Sequence, residues 1–285
     1  MANYGILIEP AELLTLLEQH WERVVVCDCS FDLADPTAGL RTYEAGHIPG
    51  AVHLDLETAL SGPKTGSNGR HPLPSPEAAV ETMRSIGIEP DTQVIAYDSG
   101  DSMFAARLWW IMRWLGHQDV AVLNGGLKAW KRSEYPLESA RPQTRSRGKF
   151  SAGKSLVTTI DYRTLRNSLS QPDQIVVDAR APDRFRGENE TLDRTGGHIP
   201  GAVNHFFRTN LDGNGQFKPA GELRDAFTTL LKGVAAERVI HQCGSGVTAC
   251  HNLLAMEVAG LSGATLYPGS WSEWSSQPDA KIATG

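Results

Sequence analysis

The sequence predicts an α/β protein made of two tandem copies of one domain, each a parallel β-sheet with helices on both faces. The heptapeptide Gly-His-Ile-Pro-Gly-Ala-Val occurs at residues 46–52 and recurs unchanged at 197–203. Other matching segments follow in the same order in both halves, which indicates a duplicated domain. Within each copy, short runs of β-branched residues alternate with helical patterns. This alternation favours a parallel sheet that is covered on both sides.

In the first copy, helical patterns of apolar residues separate three short strand-like runs. One helical pattern carries Leu108, Trp109, Met112 and Leu115. Another has Pro74 near its start, where a missing N–H is tolerated. The predicted helices are residues 11–20, 74–86 and 105–115, and the predicted strands are 24–26, 94–97 and 121–123.

The second copy repeats this order. A helix around Leu165 and Leu169 precedes a strand at 175–177, and a helix ending near Leu231 precedes a strand at 239–241. A further helix then leads to a last strand at 264–266. We therefore predict a first domain of residues 1–137 and a second of residues 155–285. Residues 138–154 are predicted to be a surface linker, because the stretch 136–154 is rich in Pro, Ser, Arg and Lys.

The composition excludes several classes of protein. The chain has 285 residues, 40% of them hydrophobic and 21% charged, and a formal net charge of −6. This composition predicts a globular protein, and the negative net charge predicts no nucleic-acid partner. No apolar run is long enough to span a bilayer, and no secretory signal is visible, so no membrane partner is expected. Four cysteines do not make a disulfide framework, and we expect a cytoplasmic protein.

The segment around Cys243 carries the strongest signal of chemistry. A short apolar strand ends at this cysteine, the sequence Gly-Ser-Gly follows, and a helix begins directly after it. A loop of this kind can direct several backbone N–H groups and the positive end of a helix dipole at one point, which favours a thiolate. Cys243 is therefore a candidate nucleophile, against the alternative that it is a small buried core residue.

The two copies act as controls for each other. At the position of Cys243 the first copy has Asp98, so only the second copy can perform thiolate chemistry. The histidines of the repeated heptapeptide, His47 and His198, are present in both copies and are expected to be architectural. Cys27 and Cys29 have no matching cluster that would complete a zinc site, so we expect no metal and no other cofactor.

The combined motifs resemble those of the two-domain rhodanese family. They are the repeated Gly-His-Ile-Pro-Gly-Ala, the Asp-Ala-Arg at 178–180, the Cys-Gly-Ser-Gly-Val-Thr-Ala loop at 243–249, and the Gly-Ser-Trp-Ser-Glu-Trp at 269–274. The resemblance implies that the first domain is non-catalytic. It also implies that Cys243 takes sulfane sulfur from a small-molecule donor, holds it as a persulfide and passes it to an acceptor.

The uncharged loop after the cysteine resembles that of the 3-mercaptopyruvate sulfurtransferases. Thiosulfate sulfurtransferases of the family usually have basic residues there, suited to a doubly charged donor. The resemblance implies that Arg184 and Arg194 bind the carboxylate and ketone of the donor. The backbone of Gly244, Gly246, Val247 and Thr248 would surround the substrate sulfur.

The resemblance also implies a group of three side chains beside the thiolate. Ser245 corresponds to the serine, His71 to the histidine, and Glu57 to the acid, with Asp55 as the other candidate for the acid. A polarised hydroxyl next to the thiolate could bind the substrate carbonyl or relay a proton as pyruvate leaves. The acceptor would be a small thiol, a thioredoxin-like dithiol or cyanide.

The sequence leaves two other functions open and counts against a third. A thiosulfate:cyanide sulfurtransferase and a non-catalytic sulfur-carrier or interaction module both stay open. A cysteine-dependent phosphatase needs an arginine six residues after the cysteine to bind the phosphate dianion, and that position is Ala249. This residue counts against phosphatase activity.

Overall fold

The computed structural model describes residues 3–139 and 145–285 and divides into two compact units. The first unit comprises Met1–Ser61, Pro74–Leu156 and Asp212–Phe217, and the second comprises Gly62–Leu73, Val157–Leu211 and Lys218–Gly285. Part of the predicted linker, residues 140–144, lies outside the described residues. Its following part is bound to the first unit, where the N–H of Gly148 donates to the carbonyl of Arg84 at 2.8 Å.

The first unit contains one five-stranded parallel sheet in the order β1-β5-β4-β2-β3. Its strands are β1 (Leu7–Ile8), β2 (Val24–Asp28), β3 (Val52–His53), β4 (Gln93–Tyr97) and β5 (Val120–Leu123). Its helices are α1 (Pro10–His20), α2 (Ala38–Ala45), α3 (Pro76–Ser85), α4 (Met103–Trp114) and α5 (Gly126–Arg132), with a 3₁₀ turn at Trp21–Arg23.

The second unit repeats this topology, with a parallel sheet in the order β6-β10-β9-β7-β8. Its strands are β6 (Thr158–Thr159), β7 (Ile175–Asp178), β8 (Val203–Asn204), β9 (Val239–Gln242) and β10 (Thr265–Leu266). Its helices are α6 (Tyr162–Ser168), α7 (Pro182–Arg186), α8 (Ala220–Leu231), α9 (Thr248–Val258) and α10 (Ser270–Trp274), with 3₁₀ turns at Phe207–Asn210 and Ala236–Arg238.

The inner strands β2, β4, β5, β7 and β9 are buried on both faces. In the first unit Val24 and Val26 pack against Leu13 of α1, whereas the alternate residues Val25 and Cys27 are also buried and point to the opposite face. These strands are therefore buried along their length rather than at alternate residues, as expected of a parallel sheet between helices. The predicted fold class, with a duplicated α/β domain, is confirmed.

The repeated histidines have the same architectural role in both units. His47 Nδ1 is 2.8 Å from the carbonyl oxygen of Tyr43, and His198 Nδ1 is 2.9 Å from that of Phe185. Each imidazole also stacks on the ring of that same residue, at centroid distances of 3.9 Å and 3.8 Å. These paired contacts tie the heptapeptide turn to the preceding helix, which confirms the prediction that the histidines are architectural.

The segment Gly62–Leu73 joins the second unit although its sequence position is within the predicted first domain. The backbone N–H of Arg70 donates to Ser272 Oγ at 3.0 Å, and Gln277 Nε2 donates to the carbonyl of Ser67 at 3.0 Å. The segment therefore places Arg70 and His71 in the same compact unit as Cys243.

Within the described parts of the chain, none of the helices is long and apolar enough to cross a membrane.

The buried His241 on β9 makes stability depend on pH. Burial, with a smaller contribution from the charge of His205, lowers the pKa of His241 to about 3. Because the unfolded chain protonates this imidazole near pH 6.5 and the folded one does not, stability is lost as the pH falls from 6.5 towards 3. Between pH 7.5 and 5.0 the loss from this group is about 2 kcal/mol.

We expect His241→Gln to remove about 2 kcal/mol of the difference in unfolding free energy between pH 7.5 and pH 5.0. Urea unfolding at the two pH values measures this difference. His20→Gln, at an exposed histidine, is the control and should leave it unchanged. An unaltered pH dependence in His241→Gln would show that another group is responsible.

Candidate active site

The loop that carries Cys243 connects the end of β9 to the start of α9 and is anchored by the first turn of α10. Ser270 Oγ accepts the N–H of Cys243 at 3.1 Å. The N–H groups of Trp271 and Ser272 donate to the carbonyls of Cys243 and Gly244, both at 2.9 Å. These three bonds fix the backbone on both sides of the thiol, so the direction of the Cys243 side chain is set by α10.

The thiol of Cys243 faces into its own loop. Its Sγ accepts the backbone N–H of Gly246 at 3.1 Å, and the residue is 2% exposed. Gly246 has a φ of +76°, and a Cβ at this position would collide with the carbonyl oxygen of Pro268. Both the left-handed backbone and the close approach require glycine here. At the other end of Gly246, its carbonyl accepts the thiol of Cys250 at 3.3 Å.

The equivalent loop of the first unit holds a carboxylate where the second has a thiol. Asp98 follows β4 and accepts four backbone N–H groups, from Gly100 and Ser102 at 3.0 Å and from Phe104 and Ala105 at 3.0 and 3.2 Å. Burial raises the pKa of Asp98, and these N–H groups offset part of the rise. A strand–loop–helix of this design therefore gathers backbone donors on the side chain at the end of the strand.

Ser245 and His71 form a buried pair in the second unit. His71 Nδ1 lies 2.8 Å from Ser245 Oγ, and the two residues are 2% and 5% exposed. Ser245 is two residues from Cys243 on the same loop, so the pair can polarise a hydroxyl beside the thiol.

The candidate acids lie in the first unit, in the turn after β3. The carboxylate of Asp55 accepts the N–H groups of Glu57 and Thr58, both at 2.9 Å, and so stabilises this turn. The association of Glu57 with His71 stays a prediction.

Two guanidinium groups approach the backbone of Gly244. A Cβ on this residue would lie 2.8 Å from Arg70 Nη2 and 3.5 Å from Arg184 Nη2. Because Gly244 has no side chain, the two guanidinium groups can occupy this space. Arg184 lies on α7, a single turn that begins at Pro182 and ends at Arg186, and Gly187 caps it with a φ of +82°. The sequence predicted Arg184, whereas Arg70 was missed despite its position directly before His71.

Of the other residues predicted for the site, Arg194 is at the surface, and Val247 and Thr248 contribute backbone groups at the start of α9. Arg194 is exposed and lines a cavity of about 280 Å³ together with Lys64, Arg70, Asp193 and Ser272. Val247 is buried and caps α9, which begins at Thr248. The backbone N–H groups around the start of this 11-residue helix carry its positive dipole end.

Carboxylates alternate with the arginines of this site. Arg184 Nη2 bonds Glu190 Oε1 at 2.8 Å, and Arg180 Nη1 is 3.3 Å from Glu190 Oε2. Arg180 is itself buried, pairs with Asp178 at 2.7 Å and lies over the ring of Trp271 at 4.8 Å. Burial raises the pKa of Glu190, but hydrogen bonds from Arg184 and from two backbone N–H groups outweigh it and leave the pKa below its ordinary value.

The cysteines of the first unit differ from Cys243 in their surroundings. Burial is the largest effect on Cys27 and raises its pKa to about 12, despite the nearby charge of Arg145. Burial also raises the pKa of Cys29 well above its ordinary value. Burial therefore disfavours the thiolate form of both cysteines.

Comparison with known proteins identifies the family of this fold and site. A family model described as a rhodanese-like domain matches residues 9–133 and 161–277, one match to each sheet. The chain belongs to the rhodanese-like family. In its duplicated rhodanese-like arrangement, Cys243 is at the end of the central strand of the second sheet.

Relatives of this rhodanese-like chain are sulfurtransferases. It is 45% identical over 264 residues to the "Probable 3-mercaptopyruvate sulfurtransferase" of Pseudomonas aeruginosa, covering 92% of this chain and 93% of the relative. It is 35% identical over 269 residues to the thiosulfate sulfurtransferase of Rattus norvegicus, covering 91% and 88%. The crystal structure of SseA from Escherichia coli, a 3-mercaptopyruvate sulfotransferase, matches with a TM-score of 0.80 and 33% identity, covering 95% of this chain and 100% of that one.

These relatives confirm two predictions made from the sequence, membership of the two-domain rhodanese family and the sulfurtransferase class. The roles of the individual side chains stay predictions.

We expect Gly246→Ala to destabilise the second unit by about 1–3 kcal/mol, because alanine would adopt a left-handed backbone and meet the carbonyl of Pro268. Urea unfolding measures the loss. Gly221→Ala is the matched control, since this glycine is in α8 with open space around its Cβ position and the change should stabilise by about 0.5–1 kcal/mol. Equal effects of the two substitutions would show that the conformation of Gly246 is not required.

Proposed function

We propose that the protein is a sulfurtransferase that moves sulfane sulfur from 3-mercaptopyruvate, through a persulfide on Cys243, to a thiol, a thioredoxin-like dithiol or cyanide, and that it releases pyruvate. The observation that carries the proposal is the Ser245–His71 pair next to Cys243 in a loop without charged side chains. This arrangement suits a donor whose carbon fragment leaves as an enolate and must then be protonated.

In the first step the Cys243 thiolate attacks the sulfur of the donor. A sulfur–sulfur bond forms, the carbon–sulfur bond breaks, and its electron pair moves onto carbon as the enolate of pyruvate. The proton of the donor thiol ends on that carbon, so Cys–S⁻ and mercaptopyruvate become Cys–S–S⁻ and pyruvate. Ser245 and His71, 2.8 Å apart, are the groups placed to relay this proton.

The arginines bind the other end of the donor. Arg184 and Arg70 both lie against Gly244, the residue after the nucleophile. A guanidinium can bind a carboxylate in two-point geometry and can stabilise the negative oxygen of an enolate. Arg194, which lines the adjoining cavity, is the third candidate for this role.

The outer sulfur of the persulfide would be held by backbone donors. The N–H of Gly246 already points at Cys243 Sγ, and the N–H groups of Gly244, Val247 and Thr248 follow the same loop into α9. The carboxylate of Asp98, which accepts four N–H groups in the first unit, supports this role for the equivalent loop. An acceptor thiolate then attacks the outer sulfur, and Cys243 leaves as the thiolate.

A reducing, cytoplasmic compartment would keep the thiols of Cys243 and of a thiol acceptor reduced.

A thiosulfate sulfurtransferase is the second candidate, because a relative carries that name. Two guanidinium groups near Gly244 favour an anionic donor of either kind. Glu190 and Asp193 bind those groups, however, and reduce the positive charge that a dianion would meet. This balance favours the singly charged mercapto-acid.

We expect kcat/KM to be higher with 3-mercaptopyruvate than with thiosulfate, and Cys243→Ser to abolish transfer from both donors. Steady-state assays with cyanide as acceptor measure both rates. Cys29→Ala is the control for loss of a buried thiol and should keep the activity. A higher kcat/KM with thiosulfate would overturn the choice of donor. Transfer that persists in Cys243→Ser would overturn the mechanism and favour a non-catalytic module.

We expect His71→Gln to lower kcat for 3-mercaptopyruvate about 10²–10⁴-fold, since glutamine can hydrogen-bond Ser245 but cannot move a proton. Its effect with thiosulfate should be much smaller, because sulfite is a leaving group that needs no proton. Comparing the two donors in one variant separates proton transfer from a general loss of structure. Equal losses with both donors would remove His71 from the proton relay.

A further inference from the structure

Asp193 lies between the two guanidinium groups that approach Gly244. Its Oδ1 forms an ion pair with Arg70 Nη1, and its Oδ2 is 3.4 Å from Arg184 Nη2. The side chain of Asp193 is 6% exposed. The two arginines best placed to bind a substrate carboxylate are therefore already bridged by a carboxylate of the chain itself.

The neighbouring carboxylate, Glu190, is held differently. It accepts bonds from Arg184 at 2.8 Å and from the backbone N–H groups of Leu192 and Asp193 at 2.9 and 3.1 Å, and it lies 3.3 Å from Arg180. Within the described residues, the carboxylate of Asp193 has hydrogen bonds to Arg70 and Arg184 alone. Glu190 is thus fixed by its own turn, whereas Asp193 can move away without breaking backbone bonds.

We propose that Asp193 is a specificity-determining residue, an internal carboxylate that occupies the anion site until a substrate carboxylate displaces it. The inference deepens the proposed function, since it concerns the site assigned there to the carboxylate of the donor. The guanidinium of Arg70 is already paired with Asp193, so a ligand that binds it gains only the difference between its own contacts and those of Asp193.

The same residue discriminates between donors by charge. A displaced Asp193 stays tethered close to the site and repels a second negative charge on the ligand. A monoanion such as a mercapto-acid replaces the lost charge one for one, whereas a dianion such as thiosulfate adds one. Lys64 and Arg194, which line the same cavity, soften this repulsion.

Direct binding tests the inference without turnover. Calorimetry on the Cys243→Ser protein, with and without Asp193→Asn, measures affinity for pyruvate as the monoanion and sulfate as the dianion. We expect Asp193→Asn to tighten pyruvate binding about threefold and sulfate binding about tenfold, because both ligands lose a competitor and sulfate also loses a repulsion. Asp193→Glu retains the charge and should retain the wild-type preference.

Asp279→Asn is the matched control. Asp279 also pairs with an arginine of the second unit, Arg166, and accepts the hydroxyl of Tyr162, so its replacement removes an equal charge elsewhere. Binding of both anions should stay unchanged in this variant.

A purely structural role for Asp193 makes the opposite prediction. If Asp193 only held Arg70 and Arg184 in place, Asp193→Asn would weaken binding of both anions, and that result or unchanged binding would overturn the inference. If neither protein bound pyruvate while sulfate bound more tightly to Asp193→Asn, the competing role of Asp193 would stand and the carboxylate donor of the proposed function would be wrong.

Discussion

The site depends on the hydrogen bonds of one short helix, α10. Ser270 and Trp271 bind the backbone of Cys243 on both sides, and Ser272 Oγ accepts the N–H of Arg70. The ring of Trp271 also supports the buried guanidinium of Arg180. One turn of helix therefore sets the position of Cys243, of the segment that carries Arg70 and His71, and of the ion-pair network. A displacement of α10 would therefore move all three, and a catalytic geometry tolerates little displacement.

Acidic side chains between the arginines neutralise their charge, which allows several arginines to lie beside the uncharged Cys243 loop. Arg180 and Asp178 are both buried, and a charge in that position is costly unless it is paired and hydrogen-bonded. Glu190 serves Arg180 and Arg184 together and is itself bound by backbone N–H groups. The network therefore holds its guanidinium groups in fixed directions, which loosely held surface side chains could not do.

The sequence predicted the inner strands β2, β4, β5, β7 and β9 because they leave a local signal. Each contains consecutive apolar residues, such as residues 24–26 of β2 and 239–240 of β9. The Cys243 loop, a thiol before two glycines, is a local signal of the same kind, and its role as nucleophile stays a prediction. The edge strands β1 (Leu7–Ile8) and β6 (Thr158–Thr159) have two residues each, too few for a periodic pattern. The ion pair of Arg70 with Asp193 joins residues far apart in the chain, and no local pattern encodes it.

The loop of Asp98 has a thermodynamic consequence for its counterpart. In the first unit the ring of backbone donors is satisfied by a side chain that is covalently part of the loop, so its order is independent of any reaction. In the second unit the corresponding anion would come and go with each catalytic cycle, and anything that binds the native state alone adds to its stability. Under the proposed mechanism, the first copy is thus a loop with a permanently bound anion, and the second is a loop whose rigidity would change as sulfur binds and leaves.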